Sequence, residues 1–210
     1  MLQKGGEFLP IKLFLLLFLL SGSVDRESLR FAYSAEQGYD RSCGLAALTC
    51  LMDRYWGIAS DEISLAREFF SEKLASGDFT VSFADMAAVL GAKKFAYKAY
   101  RMTYKQLEKA VEKYAPVVVH YDKPEGHFAL VLAMHGAEVL VADPAEGAIV
   151  NSQADFESRW SGKVLVASMP GGKVNTKLLA EAESSAWGRV ELLDKAALAG
   201  LKIGQGALRW

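Results

Sequence analysis

The chain has 210 residues, of which 51% are hydrophobic and 23% are charged, and its formal net charge is −1. This composition is typical of one globular domain and excludes a disordered or fibrous chain. Because the charge is balanced, with no basic run and no GxxxxGK[ST] phosphate loop, we expect neither nucleic acid nor a nucleotide as a partner, and no metal or other cofactor.

The first predicted element is an export signal. Lys4 and Lys12 precede the apolar run 13–20, LFLLLFLL, and the small residues 21–23 follow it. Eight apolar residues are too few for the roughly 20 that cross a bilayer, but they match the core of a secretory signal. We expect residues 1–23 to be a signal peptide, with an uncleaved signal anchor as the alternative. The folded part then works outside the cytoplasm.

A cysteine opens the next predicted element, an alanine-rich helix from Cys43 to about Trp56. A thiol at a helix N-terminus lies at the positive end of the macrodipole, which favours a nucleophilic thiolate, and Gly44 leaves room beside it. The alternative is a small buried core residue, which is our interpretation of Cys50. Seven helical positions separate the two thiols by about 10 Å, so we expect no disulfide between them.

Three further helices are predicted in the first half of the chain. Apolar residues recur with helical spacing over 61–74 and over 83–90, and the second run closes at Gly91. Thr103 and Gln106 form a capping box at the start of the third helix. This half is therefore a helical lobe.

Short β-branched segments follow, and turn residues separate them. They cover 117–121, 128–134, 139–142 and 164–168, with a short segment at 156–160 before the last one. Such segments predict an antiparallel sheet. The expected fold class is α+β, with the helix that carries the thiol packed on the sheet.

The chain has three histidines, and one of them has a carboxylate at a matching position. We place His135 in a turn and interpret His120, at a strand end, as structural. His127 and Asp143 each lie eight residues from His135, so in an antiparallel hairpin they face one another. Asp143 alone would be interpreted as a turn residue, since Pro follows it.

These residues suggest an activated nucleophile. A carboxylate on one imidazole nitrogen fixes the tautomer and leaves the other nitrogen to exchange a proton with a thiol, so we predict a triad of Cys43, His127 and Asp143. Gln37, six residues before the cysteine, is a candidate donor to the oxyanion, together with the backbone N–H of Cys43. The alternative for Gln37 is a solvated loop residue.

Together these motifs resemble the C39 family of cysteine peptidases, which includes the bacteriocin-processing peptidases, over residues 37–169. The segments that carry the resemblance are Gln37, Cys43-Gly44, Gly126-His127-Phe128 and Ala142-Asp143-Pro144. The resemblance implies a papain-like fold, a peptidase domain at 30–170 and a C-terminal extension at 171–210 that is partly helical or flexible. It also implies the roles assigned above to the triad and the glutamine. Ser42 stands where many members have Asp, and we expect it to cap the helix.

The familiar members remove leader peptides after a Gly-Gly pair within an ATP-driven exporter. This chain is more similar to stand-alone exported members that are encoded with functional-amyloid secretion systems in Gram-negative bacteria. The resemblance therefore implies a periplasmic or membrane-tethered peptidase. Its substrate would be a secreted protein or leader peptide, such as an amyloid subunit, and an outer-membrane secretion pore would be its neighbour. The alternatives are a non-catalytic binding module and an amidase of cell-wall peptides.

Overall fold

The structure is a computed structural model that describes residues 26–198. The predicted signal at 1–23 and the last segment, 199–210, lie outside the described residues. Within the described range, no helix is long and apolar enough to cross a membrane.

The described chain alternates between helices and one antiparallel sheet. The helices are α1 Arg26–Arg30, α2 Cys43–Thr49, α3 Glu62–Phe69, α4 Ser71–Ala75, α5 Phe83–Ala92, α6 Tyr104–Tyr114, α7 Gln153–Arg159 and α8 Thr176–Leu198, and a π-helical stretch, Cys50–Tyr55, continues α2. The strands are β1 Ala96–Arg101, β2 Val117–Tyr121, β3 His127–His135, β4 Glu138–Asp143, β5 Gly147–Ser152 and β6 Trp160–Ser168. Their order in the sheet is β1-β6-β2-β3-β4-β5. The predicted α+β fold class is confirmed.

Each face of the sheet has its own apolar core. Val118 faces a cluster that includes α2, the π-helical stretch, α5 and part of α8. Val117 and Val119 face a second cluster that includes α6 and α7. Because side chains alternate along a strand, a strand covered on both faces is an apolar run, as residues 117–119 of β2 are.

The helical lobe differs in two places from the predicted boundaries. Phe70, with φ −138° and ψ 41°, interrupts the helix predicted over 61–74 and divides it into α3 and α4. The helix predicted over 83–90 does not stop at Gly91, because it continues to Ala92, and the chain turns at Lys94 with φ 66°. The capping box before α6 is confirmed.

Two strands were not predicted, and one segment has a different structure. All of β1 is exposed, so it lacks the apolar alternation that marks a strand. The other missed strand, β5, begins at Gly147 with φ 83°, and its two β-branched residues lie between small and polar ones. The segment 156–160 belongs mostly to α7, and β6 begins at Trp160, earlier than residue 164.

A β-bulge interrupts the hairpin of β3 and β4. Ala133 pairs with Leu140, whereas Val131 pairs with Val141, so Leu132 is an extra residue on β3. A bulge of this kind changes which side chains beyond it share a face of the sheet.

The prediction that His127 lies directly opposite Asp143 was wrong in register. The turn is at 136–137, and the register beyond the bulge places Asp143 opposite Ala129. His127 is two residues from Ala129 and shares its face, so it lies diagonally across from Asp143. If the register of Ala133 and Leu140 continued along the hairpin without a bulge, Asp143 would instead oppose Leu130, on the other face. The bulge therefore places the imidazole and the carboxylate on one side of the sheet.

Helix α8 forms most of the part of the C-terminal extension that the structure describes. Ala182 and Ala186 are buried in the core cluster that contains α2. The indole of Trp187 donates a hydrogen bond of 2.7 Å from Nε1 to Glu138 Oε2 on β4. The first part of α8 is thus packed against the sheet.

Gly44, the second residue of α2, packs against α5 without room for a side chain. A Cβ there would overlap Val81 Cγ2 and lie 2.8 Å from Met86 Cε. We expect Gly44→Ala to lower the free energy of unfolding by about 1–3 kcal/mol because of this overpacking. Gly188→Ala is the matched control, since no atom lies within 4 Å of that Cβ, and it should stabilise α8 by about 0.5–1 kcal/mol. Urea unfolding checks both, and equal stability of Gly44→Ala and wild type would contradict the packing argument.

Candidate active site

The predicted nucleophile lies at the N-terminus of α2. Cys43 is buried, at 7% exposure, and its thiol is free, as is that of Cys50. The expectation that Ser42 caps the helix was wrong, because its hydroxyl donates to the carbonyl of Tyr39 at 2.9 Å and accepts from the Tyr39 N–H at 3.2 Å. Ser42 therefore closes the loop before α2 and leaves the first N–H groups of the helix without a side-chain cap.

His127 and Asp143 form a hydrogen-bonded pair at one end of the sheet. The imidazole Nε2 lies 2.9 Å from Oδ2 and 3.0 Å from Oδ1 of Asp143. The backbone N–H groups of Ala145 and Glu146 donate to Oδ1 at 2.8 Å and 3.1 Å. Burial acts to raise the pKa of Asp143, but the hydrogen bond and charge of His127 and these N–H groups outweigh it and lower that pKa. The carboxylate is therefore ionised and fixed in place.

The environment of His127 favours the imidazolium. Burial acts to lower the pKa of His127, but hydrogen bonds to Asp143 and Cys43, with the charges of both, raise it to about 10. Since Nε2 faces the carboxylate, Nδ1 is the nitrogen left for the thiol. The ring of Tyr121 stacks on the imidazole, with ring centroids 6.2 Å apart and planes at 9°. The structure thus brings Cys43, His127 and Asp143 together.

The loop that carries Asp143 is held by the segment before α2. Arg30 donates from Nε to the carbonyl of Glu146 at 2.9 Å, and the Ser34 hydroxyl donates to the carbonyl of Asp143 at 2.9 Å. The backbone N–H of Gln37 donates to the Pro144 carbonyl at 2.9 Å. The chain before Cys43 is therefore attached to the loop that carries Asp143.

Gln37 lies in this segment, with its side chain turned to its own loop. Its Nε2 donates to the Tyr39 carbonyl at 3.4 Å, and its Oε1 is buried without a hydrogen-bond partner in the described part of the chain. The amide lies in the loop that leads to Cys43, and within residues 26–198 its side chain makes no hydrogen bond to Cys43.

Glu62 supports the same loop, although the sequence did not predict this role for the residue. Its Oε1 accepts from the Gly38 N–H at 3.0 Å, while Oε2 is buried with no hydrogen-bond partner among residues 26–198. Burial raises the pKa of Glu62, although the hydrogen bond from the Gly38 N–H acts in the opposite direction. An acidic residue in the first turn of a helix is common, so no sequence signal distinguished Glu62 from its neighbour Asp61.

An open cleft of about 520 Å³ lies beside Cys43. Phe83 and Phe128 line it and meet edge to face, with ring centroids 5.0 Å apart. His120, which we had interpreted as structural, also lines the cleft, next to Gly126. The cleft therefore reaches Cys43, and aromatic rings form its wall beside the thiol.

The described residues contain no candidate set of metal ligands. No group of three or more His, Cys, Asp or Glu side chains within 26–198 is arranged to hold a metal ion. The chemistry that this site can support is that of a thiol, an imidazole and a carboxylate.

Comparison with known sequences matches the chain to one protein family and to a similar bacterial protein. The sequence profile of the Peptidase C39 family matches residues 32–170. A Pseudomonas aeruginosa protein described as a probable functional amyloid protease, FapD, is 28% identical over 137 residues, which are 64% of this chain and 60% of that protein. The chain thus spans less than two thirds of the length of this relative.

Two solved structures share the fold. The peptidase domain of Streptococcus ComA, a bi-functional ABC transporter involved in a quorum-sensing pathway, has a TM-score of 0.56 at 17% identity, covering 66% of this chain and 99% of that one. A double glycine motif protease from an AMS/PCAT transporter, in complex with the leader peptide, has a TM-score of 0.54 at 19% identity, covering 65% and 91%. At these identities the likeness establishes the fold, which is the papain-like one expected.

Proposed function

The chain belongs to the Peptidase C39 family, and from this premise we propose that it is a cysteine endopeptidase with Cys43 as nucleophile, His127 as general acid and base, and Asp143 as orienting carboxylate. The observation that carries the proposal is the hydrogen-bonded His127–Asp143 pair, with Cys43 among the groups that raise the pKa of the imidazole and an open cleft beside the thiol. This arrangement is that of an activated nucleophile.

In the proposed reaction, the Cys43 thiolate attacks the carbonyl carbon of the scissile peptide bond and forms a tetrahedral intermediate. The backbone N–H of Cys43, which the helix does not use, donates to the new oxyanion, and the Gln37 amide turns from the Tyr39 carbonyl to supply a second hydrogen bond. Protonated Nδ1 of His127 then gives its proton to the leaving amine, and an acyl-enzyme thioester remains.

Water completes the proposed cycle. Neutral His127 takes a proton from the water as the water attacks the thioester, and the thiolate leaves with the imidazolium restored. Asp143 keeps the hydrogen bond to Nε2 throughout, so the ring stays in the orientation that presents Nδ1 to the thiol. No change in the protonation of the carboxylate is required.

We propose that the substrate is an extended segment of a secreted protein with small residues, such as Gly-Gly, at the cleavage site. The aromatic pair of Phe83 and Phe128 supports this, because it narrows the cleft next to Cys43. The family resemblance supports an exported protein or leader peptide as substrate, and the FapD relative supports a functional-amyloid subunit. With residues 1–23 as an export signal, the peptidase would work in the periplasm, free or tethered by that signal, near an outer-membrane secretion pore.

Peptide profiling tests the proposal. The full-length protein is incubated with extended peptides that carry Gly-Gly, other small pairs or bulky pairs at their centre, and in parallel with peptidoglycan fragments. Mass spectrometry of the new termini should show cleavage of peptides after small pairs, and iodoacetamide treatment beforehand should block it. Binding of peptides without cleavage would indicate a binding module, and cleavage of peptidoglycan alone would indicate a cell-wall amidase. Either result overturns the proposal.

A further inference from the structure

His120 projects from the penultimate residue of β2 into the cleft beside Cys43, and the mechanism above does not use it. Its ring meets Phe128 edge to face with centroids 4.9 Å apart, and it is also tilted against Phe83 with centroids 6.1 Å apart. The two aromatic rings hold the imidazole in one orientation, and only its nitrogen atoms remain to be assigned.

The hydrogen bonds of Ser161 determine which nitrogen of His120 carries the proton. The Ser161 hydroxyl has one hydrogen, and it donates to the backbone carbonyl of His120 at 2.8 Å. Its oxygen then has only lone pairs for its other contacts, the Lys163 N–H at 3.3 Å and the His120 Nδ1 at 3.1 Å. Nδ1 must therefore be the donor in that contact, so the neutral ring carries its proton on Nδ1 and a lone pair on Nε2.

The lone pair of Nε2 points to the cleft. A Cβ added to Gly126 would lie 3.5 Å from Nε2, and Gly126 and His120 both line the cleft next to Cys43. No group of residues 26–198 makes a hydrogen bond to this nitrogen. Because Gly126 has no side chain to cover this nitrogen, a substrate N–H can approach Nε2 from the side of Gly126.

Charged groups around the ring keep it neutral. Burial lowers the pKa of His120, and the positive charges of Lys163 on β6 and His127 on β3 act in the same direction, against the smaller opposite effect of Asp122. Glu125 is an acidic residue of the cleft wall, and Lys163 is a basic one. At neutral pH Nε2 therefore remains an acceptor.

We propose that His120 is a substrate-binding residue, whose Nε2 accepts a hydrogen bond from one backbone N–H of the peptide beside the scissile bond. This inference rests on the proposed peptidase function and adds a rule of specificity to it. Small side chains fit the narrow cleft, but one residue near the cleavage site must also carry an amide hydrogen. Proline or an N-methylated residue at that position would bind poorly, whatever its size.

An N-methyl scan of a cleaved peptide tests this rule. Each glycine or other residue within three positions of the scissile bond is replaced in turn by its N-methyl form, and kcat and KM are measured for the full-length wild type and for His120→Phe, which retains an aromatic ring. We expect one N-methylation to raise KM of the wild type by about tenfold, the value of one hydrogen bond to a buried acceptor. The same N-methylation should leave KM of His120→Phe unchanged within twofold.

Two further readouts separate binding from folding. For the unmodified peptide, His120→Phe should raise KM by about tenfold with kcat within twofold, because the lost contact is the same in ground state and transition state. Ser161→Ala, which frees the tautomer, should raise KM by a smaller factor. The role of His120 would be contradicted if an N-methylation raised KM of wild type and of His120→Phe equally, or if no N-methylation raised KM of the wild type. Either result would leave the proposed peptidase function intact. If the wild type cleaves no peptide, the proposed function falls and this inference falls with it.

Discussion

Cys43→Ala is expected to abolish peptide cleavage, with a fall in kcat of about 10⁴-fold or more, because no other group can form the thioester. The helix should be unaffected, since alanine retains the Cβ and only one buried sulfur is lost. We therefore expect the free energy of unfolding to change by no more than about 1 kcal/mol. Cleavage rates from mass spectrometry and urea unfolding curves measure the two quantities.

Cys50→Ala is the matched control, since it removes the same atom from the same run of helical backbone. Cys50 is 2% exposed, its Sγ lies 3.8 Å from the Tyr33 carbonyl, and burial raises the pKa of the thiol to about 12. A thiol of this kind is inert, so the variant should cleave peptides at the wild-type rate. An electrophilic reagent should label Cys43 and not Cys50. Cleavage that survives Cys43→Ala but not Cys50→Ala would reverse the assignment.

Asp143→Ala is expected to lower kcat/KM by about 10²–10⁴-fold and to move the alkaline limit of activity to lower pH. The carboxylate is one of the groups that raise the pKa of His127 to about 10, so without it the imidazolium is lost at a pH nearer the ordinary value. The pH profile of kcat/KM for wild type and variant measures this shift. An unchanged profile would show that Asp143 does not act through His127.

The same substitution should change how stability depends on pH. A raised folded-state pKa stabilises the protein fully below the unfolded-state pKa of about 6.5, and this stabilisation is lost as pH rises through the folded value of about 10. In Asp143→Ala this loss should be smaller over that range. Asp143→Asn, which keeps an acceptor for His127 but no charge, separates orientation from charge, and its activity should lie between those of wild type and Asp143→Ala.

Much of the fold could be predicted because each face of the sheet is covered by helices. For this reason β2 and β6 contain apolar runs. The capping box of Thr103 and Gln106 predicts where α6 begins. β1 could not be predicted, since an exposed edge strand needs no apolar pattern and its pairing with β6 is a matter of backbone hydrogen bonds. A local pattern of apolar residues cannot predict the pairing of two strands that are distant in the sequence.

The candidate site was predictable in its residues but not in its geometry. His127 and Asp143 could be paired because each lies the same number of residues from a predicted turn. The strand register that brings them together depends on the bulge at Leu132, and no feature of the sequence predicts that bulge. Glu62 and His120 were missed as parts of the site for a related reason. Each reaches the loop or cleft from an element distant in sequence, and only the packing of helix on sheet brings them there.

The hydrogen bond from Arg30 to the Glu146 carbonyl limits how far the N-terminus can be shortened in a fragment made for expression. The family match begins at residue 32, and a truncation at that point would remove the guanidinium that holds the loop of the orienting carboxylate. Such a fragment would retain Cys43, His127 and Asp143, and the hydrogen bonds of Ser34 and Gln37 to this loop, but it would lose the donor that Arg30 supplies to the Glu146 carbonyl. The smallest fragment worth purifying therefore starts ahead of α1, outside the limits that sequence similarity marks.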